Sequence, residues 1–195
     1  MKHHTLTPTT RSLLSLGLIL TFAQAQAATM PEPGEWLVRT QETHEGNPKV
    51  LQALATMKAL RNASAQGLPP GKAPAGASPN SVEEERECIT AEDVREMQPR
   101  QVLQQMITAG VEGWKCQFAD QPGEQLQYSC RNSSGQTSKG QAQVQYGARA
   151  FKYEVTGTVE HKPGDASSRV TSKWSVDGRW LAAKCSPASQ AQRDH

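Results

Sequence analysis

Polar and apolar positions alternate one for one through most of the chain beyond Gly113. Ala142, Val144 and Tyr146 are interleaved with Gln141, Gln143 and Gln145, and Phe151, Tyr153 and Val155 with Lys152, Glu154 and Thr156. A period of two is what a half-buried strand requires, because successive side chains leave opposite faces of a pleated sheet. Folding the two runs back through Gly147–Ala150 sets Tyr146 against Phe151, Val144 against Tyr153, Ala142 against Val155 and Gly140 against Gly157. That register gathers every apolar residue on one face, and a one-residue slip would invert the set. Upstream, Trp114, Cys116 and Phe118 share a face, as do Leu126, Tyr128 and Cys130. A hairpin turning at Pro122-Gly123 opposes Cys116 to Cys130 and Phe118 to Tyr128. Downstream, Val170, Trp174 and Val176 resume the alternation. Asp177-Gly178 reads as a tight turn, with Leu181, Ala183 and Cys185 running back and Cys185 on the core side. Trp180 is out of phase in that scheme and is expected to be exposed.

The N-terminal half has a different rhythm. Pro33–Thr40 predicts a first strand with Trp36 and Val38 on one face. Asn47 is a suitable N-cap and Pro48 a suitable first residue for a helix to about Asn62. Its stripe is Val50, Leu51, Leu54, Met57 and Leu60, with Lys58 on the solvated side. Residues 63–81, rich in Ala, Pro, Gly and Ser, predict a flexible insertion, because they hold too little apolar surface to offset ordering. Glu83–Glu87 reads as a solvated charge run rather than an oxygen cage for a cation. Thr90 then caps a short helix to about Met97, and Pro99 opens another with Val102, Leu103, Met106 and Ile107 on its buried side. The expected fold is α+β: a curled antiparallel meander of about seven strands packed on short helices. One strand comes first, then the helical segment, then six strands in meander order.

The first 27 residues change the reading of compartment. A basic start, the apolar run Leu13–Phe22 and the A-x-A sites in Ala23–Ala27 describe a cleavable secretory signal peptide. Ten such residues are too few to span a ~30 Å hydrocarbon core. Removing Lys2 and Arg11 and no acid turns 21 basic against 19 acidic groups into 19 against 19. A neutral mature chain offers no basic face, which argues against a nucleic-acid partner. No later stretch approaches membrane-spanning length. About 168 residues remain, enough for one domain over 28–185, with 186–195 expected as a disordered tail. Four cysteines in an exported chain favour disulfides. Since the hairpin register opposes Cys116 to Cys130, Cys88 is left to pair with Cys185.

Several of these features, in this order, resemble the exported Gram-negative bacterial proteins grouped as domain of unknown function 3617. They are Pro33-Gly34-x-Trp36 at the start, Cys88-Ile89-Thr90 before an acidic helix start, Cys116 and Cys130. Gly140 and Gly157 inside Gly-containing strands follow, then Gly178-Arg179-Trp180 before Cys185. The resemblance spans roughly Pro31–Cys185. It implies an exported, disulfide-bearing domain and supplies no activity.

Residue types that carry chemistry are sparse. Beyond the leader the histidines are His44, His161 and His195, and none has a second His or Cys at metal-ligand spacing. No G-x-S-x-G elbow and no phosphate-cradling glycine loop occur. All four thiols have disulfide partners in prospect. Glu154, Glu160, Asp165 and Asp177 read as solvated charge. No catalytic residue, metal or cofactor is therefore expected.

What remains is an aromatic set. Trp36, Trp114, Phe118, Tyr128, Tyr146, Phe151, Tyr153 and Trp174 all fall on inward positions. They build a core, or else Trp114, Phe118, Tyr128, Tyr146, Phe151, Tyr153 and Trp174 face a small apolar ligand held by the sheet. The expectation is a non-enzymatic periplasmic domain engaging another envelope protein. The alternative is a carrier for an apolar or lipid-like molecule.

Overall fold

The computed structural model describes residues 29–65, 78–109, 113–162 and 164–193; the expected leader over 1–27 and residues 66–77 of the expected insertion lie outside them. In chain order the elements are β1 (Gly34–Gly46), α1 (Pro48–Ala65), β2 (Ser81–Ile89), α2 (Ala91–Glu96) and α3 (Pro99–Ala109). Then follow β3 (Lys115–Gln121), β4 (Gln125–Arg131), β5 (Thr137–Gly147), β6 (Ala150–Glu160), β7 (Arg169–Ala182) and α4 (Pro187–Arg193). The strands form one open antiparallel sheet in the order β2-β1-β7-β6-β5-β4-β3. The fold class is the expected one, α+β with helices against an antiparallel sheet.

Alternation specified the two expected hairpins. Cys116 pairs with Cys130 and Phe118 with Tyr128; Tyr146 pairs with Phe151, Val144 with Tyr153 and Ala142 with Val155. The turn between β3 and β4 uses a left-handed Gly123 at φ 78°, a conformation glycine adopts without a Cβ penalty. On the inner face Trp36, Leu126, Ala142 and Val144 are fully buried. Leu103 and Ile107 of α3 close over them. Helix α2 opens with a capping box: the Asp93 amide donates to Thr90 Oγ1 (3.2 Å) and the Thr90 amide to Asp93 Oδ2 (2.7 Å), which satisfies two helix-end donors reciprocally.

The connectivity departs from the meander. Only β3 to β7 run in meander order; β1 returns to lie between β7 and β2. The acidic run Glu83–Glu87 is exposed over Glu83–Arg86 and belongs to β2, paired along its length with β1. Glutamate is a poor strand former, yet at a sheet edge its charge deters pairing with a second chain, and pairing on one side overrides propensity.

Asp177-Gly178 is not a turn either: β7 runs through it, and Gly178 pairs with both Val38 and Phe151. A Cβ at Gly178 would lie 2.1 Å from the Phe151 ring. The glycine makes room for a ring crossing the strand. With no turn, Trp180 falls in phase with Trp174 and Val176 and is half-buried instead of exposed. Its Nε1 donates to Pro33 O at 3.4 Å, and the Arg149 guanidinium lies 4.5 Å from its ring centroid.

Both expected disulfides form, Cys116–Cys130 and Cys88–Cys185, with Cα separations of 4.0 and 5.4 Å. Cys88 pairs opposite Glu35 while its neighbour Ile89 is in the core, so the Cys88–Cys185 bridge lies on the outer face, not the core side. Within the expected disordered tail, residues 187–193 form α4, which packs against β2. Ser186 Oγ donates to the buried Glu35 at 2.6 Å, and Ser189 is fully buried beside it. Helix α1 is rotated from its expected stripe. Ala55 is buried, Met57 and Leu60 are exposed, and Lys58 turns inward to Glu42.

Candidate functional site

Among the described residues, two clefts open on the helix-bearing face of the sheet. The larger, about 510 Å³, lies between α1, α3 and the sheet, bounded by Leu54, Met106, Ile107, Val155, Val170 and Trp174, with Glu42, His44, His161 and Ser172 at its polar end. The second, about 440 Å³, is lined by Thr40, Glu87, Met97, Phe151, Tyr153 and Trp174 among others. Trp174 borders both. The larger volume lies in the range of small-molecule sites, and a mostly apolar wall with a few convergent polar groups is the usual lining of one.

The polar end is built by strand register. Glu42 and His44 are two apart on β1, so both face inward. Pairing of β1 with β7 sets Glu42 against Trp174 and His44 against Ser172. The His44 ring bridges the two strands: Nδ1 is 2.7 Å from Ser172 Oγ and Nε2 is 3.0 Å from Glu42 Oε1. The other Glu42 oxygen accepts from Lys58 Nζ of α1 at 2.5 Å. Lys58 also donates to Ser81 Oγ (2.9 Å) and Pro79 O (3.3 Å). Hydrogen bonding from His44, reinforced by Lys58 and opposed by burial, holds the Glu42 carboxyl down at about 2. Glu42 is therefore an anion at any ordinary pH, and Nε2–H of His44 is the donor to it.

A serine, imidazole and carboxylate in line is the arrangement that activates a nucleophile. Here Ser172 lies within β7, paired on both sides to His44 and Gly157. The backbone amides around it serve the ladder instead of forming an oxyanion hole. What the array supplies is an oriented hydroxyl at the mouth of an apolar cleft.

Above it, Tyr128 lies over the glycine pair of β5 and β6. A Cβ on Gly157 would stand 1.9 Å, and one on Gly140 2.8 Å, from its hydroxyl. Burial raises the Tyr128 phenol, opposed by the Ser138 hydroxyl beside it. Burial likewise raises Tyr153 and Tyr146, whose hydroxyls meet at 3.4 Å.

Of the aromatic set, Tyr128 and Trp174 line the larger cleft, and Phe151, Tyr153 and Trp174 the second. Trp114, Phe118 and Tyr146 are half-buried and pack against the core. The strand carboxylates lie elsewhere. Glu154, on the outer face, is neutralised by Lys173 and by Lys152 at 3.2 Å, and the Lys173 bond, aided by Lys152, keeps its carboxyl below the ordinary value. Glu160 pairs with Arg169 at 3.3 Å. Among the described residues, no group of three or more His, Cys, Asp or Glu side chains is placed to hold a metal ion. Nor is any described helix long and apolar enough to cross a membrane. Glu42, His44 and Ser172 were not singled out together from sequence, because the serine is 128 residues from the histidine and only the β1–β7 pairing joins them.

An open antiparallel sheet, α1 to α3 over one face and two disulfides define a small domain suited to an oxidising compartment. Residues 31–185 match the family described as "Protein of unknown function (DUF3617)", and the chain belongs to it. No curated protein and no solved structure matches the chain.

Proposed function

We propose that this chain is an exported, periplasmic, non-enzymatic domain that carries one small amphipathic molecule in the cleft between α1, α3 and the sheet. Export is supported by the leader-like pattern over residues 1–27 together with the two disulfides, which persist in oxidising compartments. Of the two roles expected from the sequence, the carrier is favoured over docking to another envelope protein by one observation. The cleft of about 510 Å³ has an apolar wall of Leu54, Met106, Ile107, Val155 and Trp174 closed at one end by Glu42, His44, His161 and Ser172. An apolar body with one polar end matches that division.

Native mass spectrometry of the protein purified from its periplasm tests the reading. The expected result is a co-purifying small molecule that is lost in Trp174→Ala and retained in a substitution on the outer face such as Lys152→Ala. A bare apo mass, together with no change in tryptophan fluorescence on titration with medium-chain amphiphiles, would overturn it.

A further inference from the structure

Resting on the cleft as a ligand site, we infer that its polar end selects a monocarboxylate head and that Ser172 changes, toward the cleft, from hydrogen-bond acceptor to donor when His44 takes up a proton. Valence fixes where each proton sits. Glu42 stays ionised and engages Nε2–H of His44, so any second proton on the ring must enter at Nδ1, the atom 2.7 Å from Ser172 Oγ. While the ring is neutral, the serine proton points to Nδ1 and the hydroxyl offers the cleft only lone pairs, which repel a carboxylate. Once the ring is charged, Nδ1–H donates to Ser172 Oγ, and the serine O–H is released to donate into the cleft.

The charged and titratable groups around His44 favour the same head. On β1, the negative charge of Glu42 is offset by Lys58 of α1. His161, just beyond β6, lines the same end, and the Tyr128 hydroxyl of β4 stays neutral. From α3 the lining is Met106, Ile107 and Ala109, with no charge. Uptake of protons by the imidazoles therefore adds positive charge at the polar end with no free acid to absorb it. The ligand class is a single-chain or aryl acid with its carboxylate against Ser172 and its apolar body along Trp174, Val155 and Met106.

The test compares decanoate with decanol, both below their aggregation limits, by tryptophan fluorescence and calorimetry on the full mature protein at pH 8 and pH 5.5. Histidine side chains in general change charge across that interval, whereas decanoate remains largely ionised. Decanoate is expected to bind at least fivefold more tightly at pH 5.5, and decanol to bind about equally at both, since an alcohol can donate to the serine or accept from it. Ser172→Ala should remove most of the decanoate gain and leave decanol, weakened by the lost serine contact, still equal at the two pH values, and His44→Gln should abolish the gain. Decanoate affinity independent of pH, or a gain that survives intact in Ser172→Ala, would overturn the inference while leaving the carrier reading in place. Binding of neither probe at either pH would overturn both.

Discussion

Tyr128 and the two glycines beneath it form a contact in which side-chain absence is the structural element. Gly140 and Gly157 pair across β5 and β6, and the phenol fills the space two side chains would otherwise occupy. Each glycine weakens its strand, and the ring lying across the pair recovers the lost packing. Gly157→Ala would place a methyl carbon 1.9 Å from the Tyr128 hydroxyl and 3.0 Å from its ring carbon. Overpacking of this kind costs about 1–3 kcal/mol, and urea denaturation of the variant should show that loss. Adding Tyr128→Ala to Gly157→Ala should cost less than the sum of the two single losses, because the clash no longer exists. Strict additivity would mean that the phenol does not sit where the structure puts it. Gly178 under Phe151 follows the same logic, and it explains why an Asp-Gly pair misled a reading based on turn chemistry. Glycine marks a turn when it supplies φ, and a crossing point when it supplies space.

At the scale of elements, the two disulfides do unequal work. Cys116–Cys130 links the two strands of one hairpin across 14 residues, whereas Cys88–Cys185 joins β2 to the segment between β7 and α4 across 97. By chain entropy, closing the short loop contributes ~3 kcal/mol and the long one ~4–5 kcal/mol. Replacing Cys88 and Cys185 together by serine should therefore lower the denaturation free energy more than replacing Cys116 and Cys130. It should also free α4, which rests on β2 beside that bridge, and raise amide exchange in Ser186–Ser189. Equal losses from the two double variants would deny the long bridge its special role. The same contrast governs what could be read from sequence. The β3–β4 and β5–β6 hairpins were legible because turn and alternation lie within about twenty residues and each admits one register that buries every apolar side chain. β2 was not: Val82 and five charged residues show no apolar face, and it becomes a strand only because β1 offers it an edge. The unbroken β7 was hidden by Gly178, and with it the phase of Trp180. Of the candidate site, Tyr128 and Trp174 were visible as inward aromatics, whereas the Glu42–His44–Ser172 line depends on long-range pairing that no local pattern encodes.

Across the whole molecule, two inner-face carboxyls at β1 and the neighbouring edge strand β2 set opposite limits on stability. Glu42, held down at about 2 by His44 and Lys58, releases its proton more readily in the native state than its ordinary value of 4.5 would allow. Its contribution is present above pH 4.5 and is lost as pH falls from 4.5 toward 2. Glu87, pushed up to about 7 by burial and by the adjacent Glu85, holds its proton more tightly when folded. Its contribution is complete below pH 4.5 and is lost as pH rises from 4.5 to 7. The two slopes meet near pH 4.5–5, where this pair places the stability maximum, at the acid side of the usual range. Glu87→Gln keeps the neutral amide shape and removes the upper slope. It should leave stability near pH 4.5 unchanged and raise it at pH 8 by on the order of 2 kcal/mol, read from urea midpoints at pH 3, 4.5, 6 and 8. Glu42→Gln should do the reverse. It should flatten the acid limb and cost stability at neutral pH by on the order of 1 kcal/mol, because its partly exposed carboxylate is screened by water. A parent whose midpoint climbs steadily from pH 4.5 to 8 would show that Glu87 is not the protonated partner of Glu85. In that case, the edge strand would carry its full negative charge beside the second cleft, and that cleft would repel the acids its neighbour is inferred to accept.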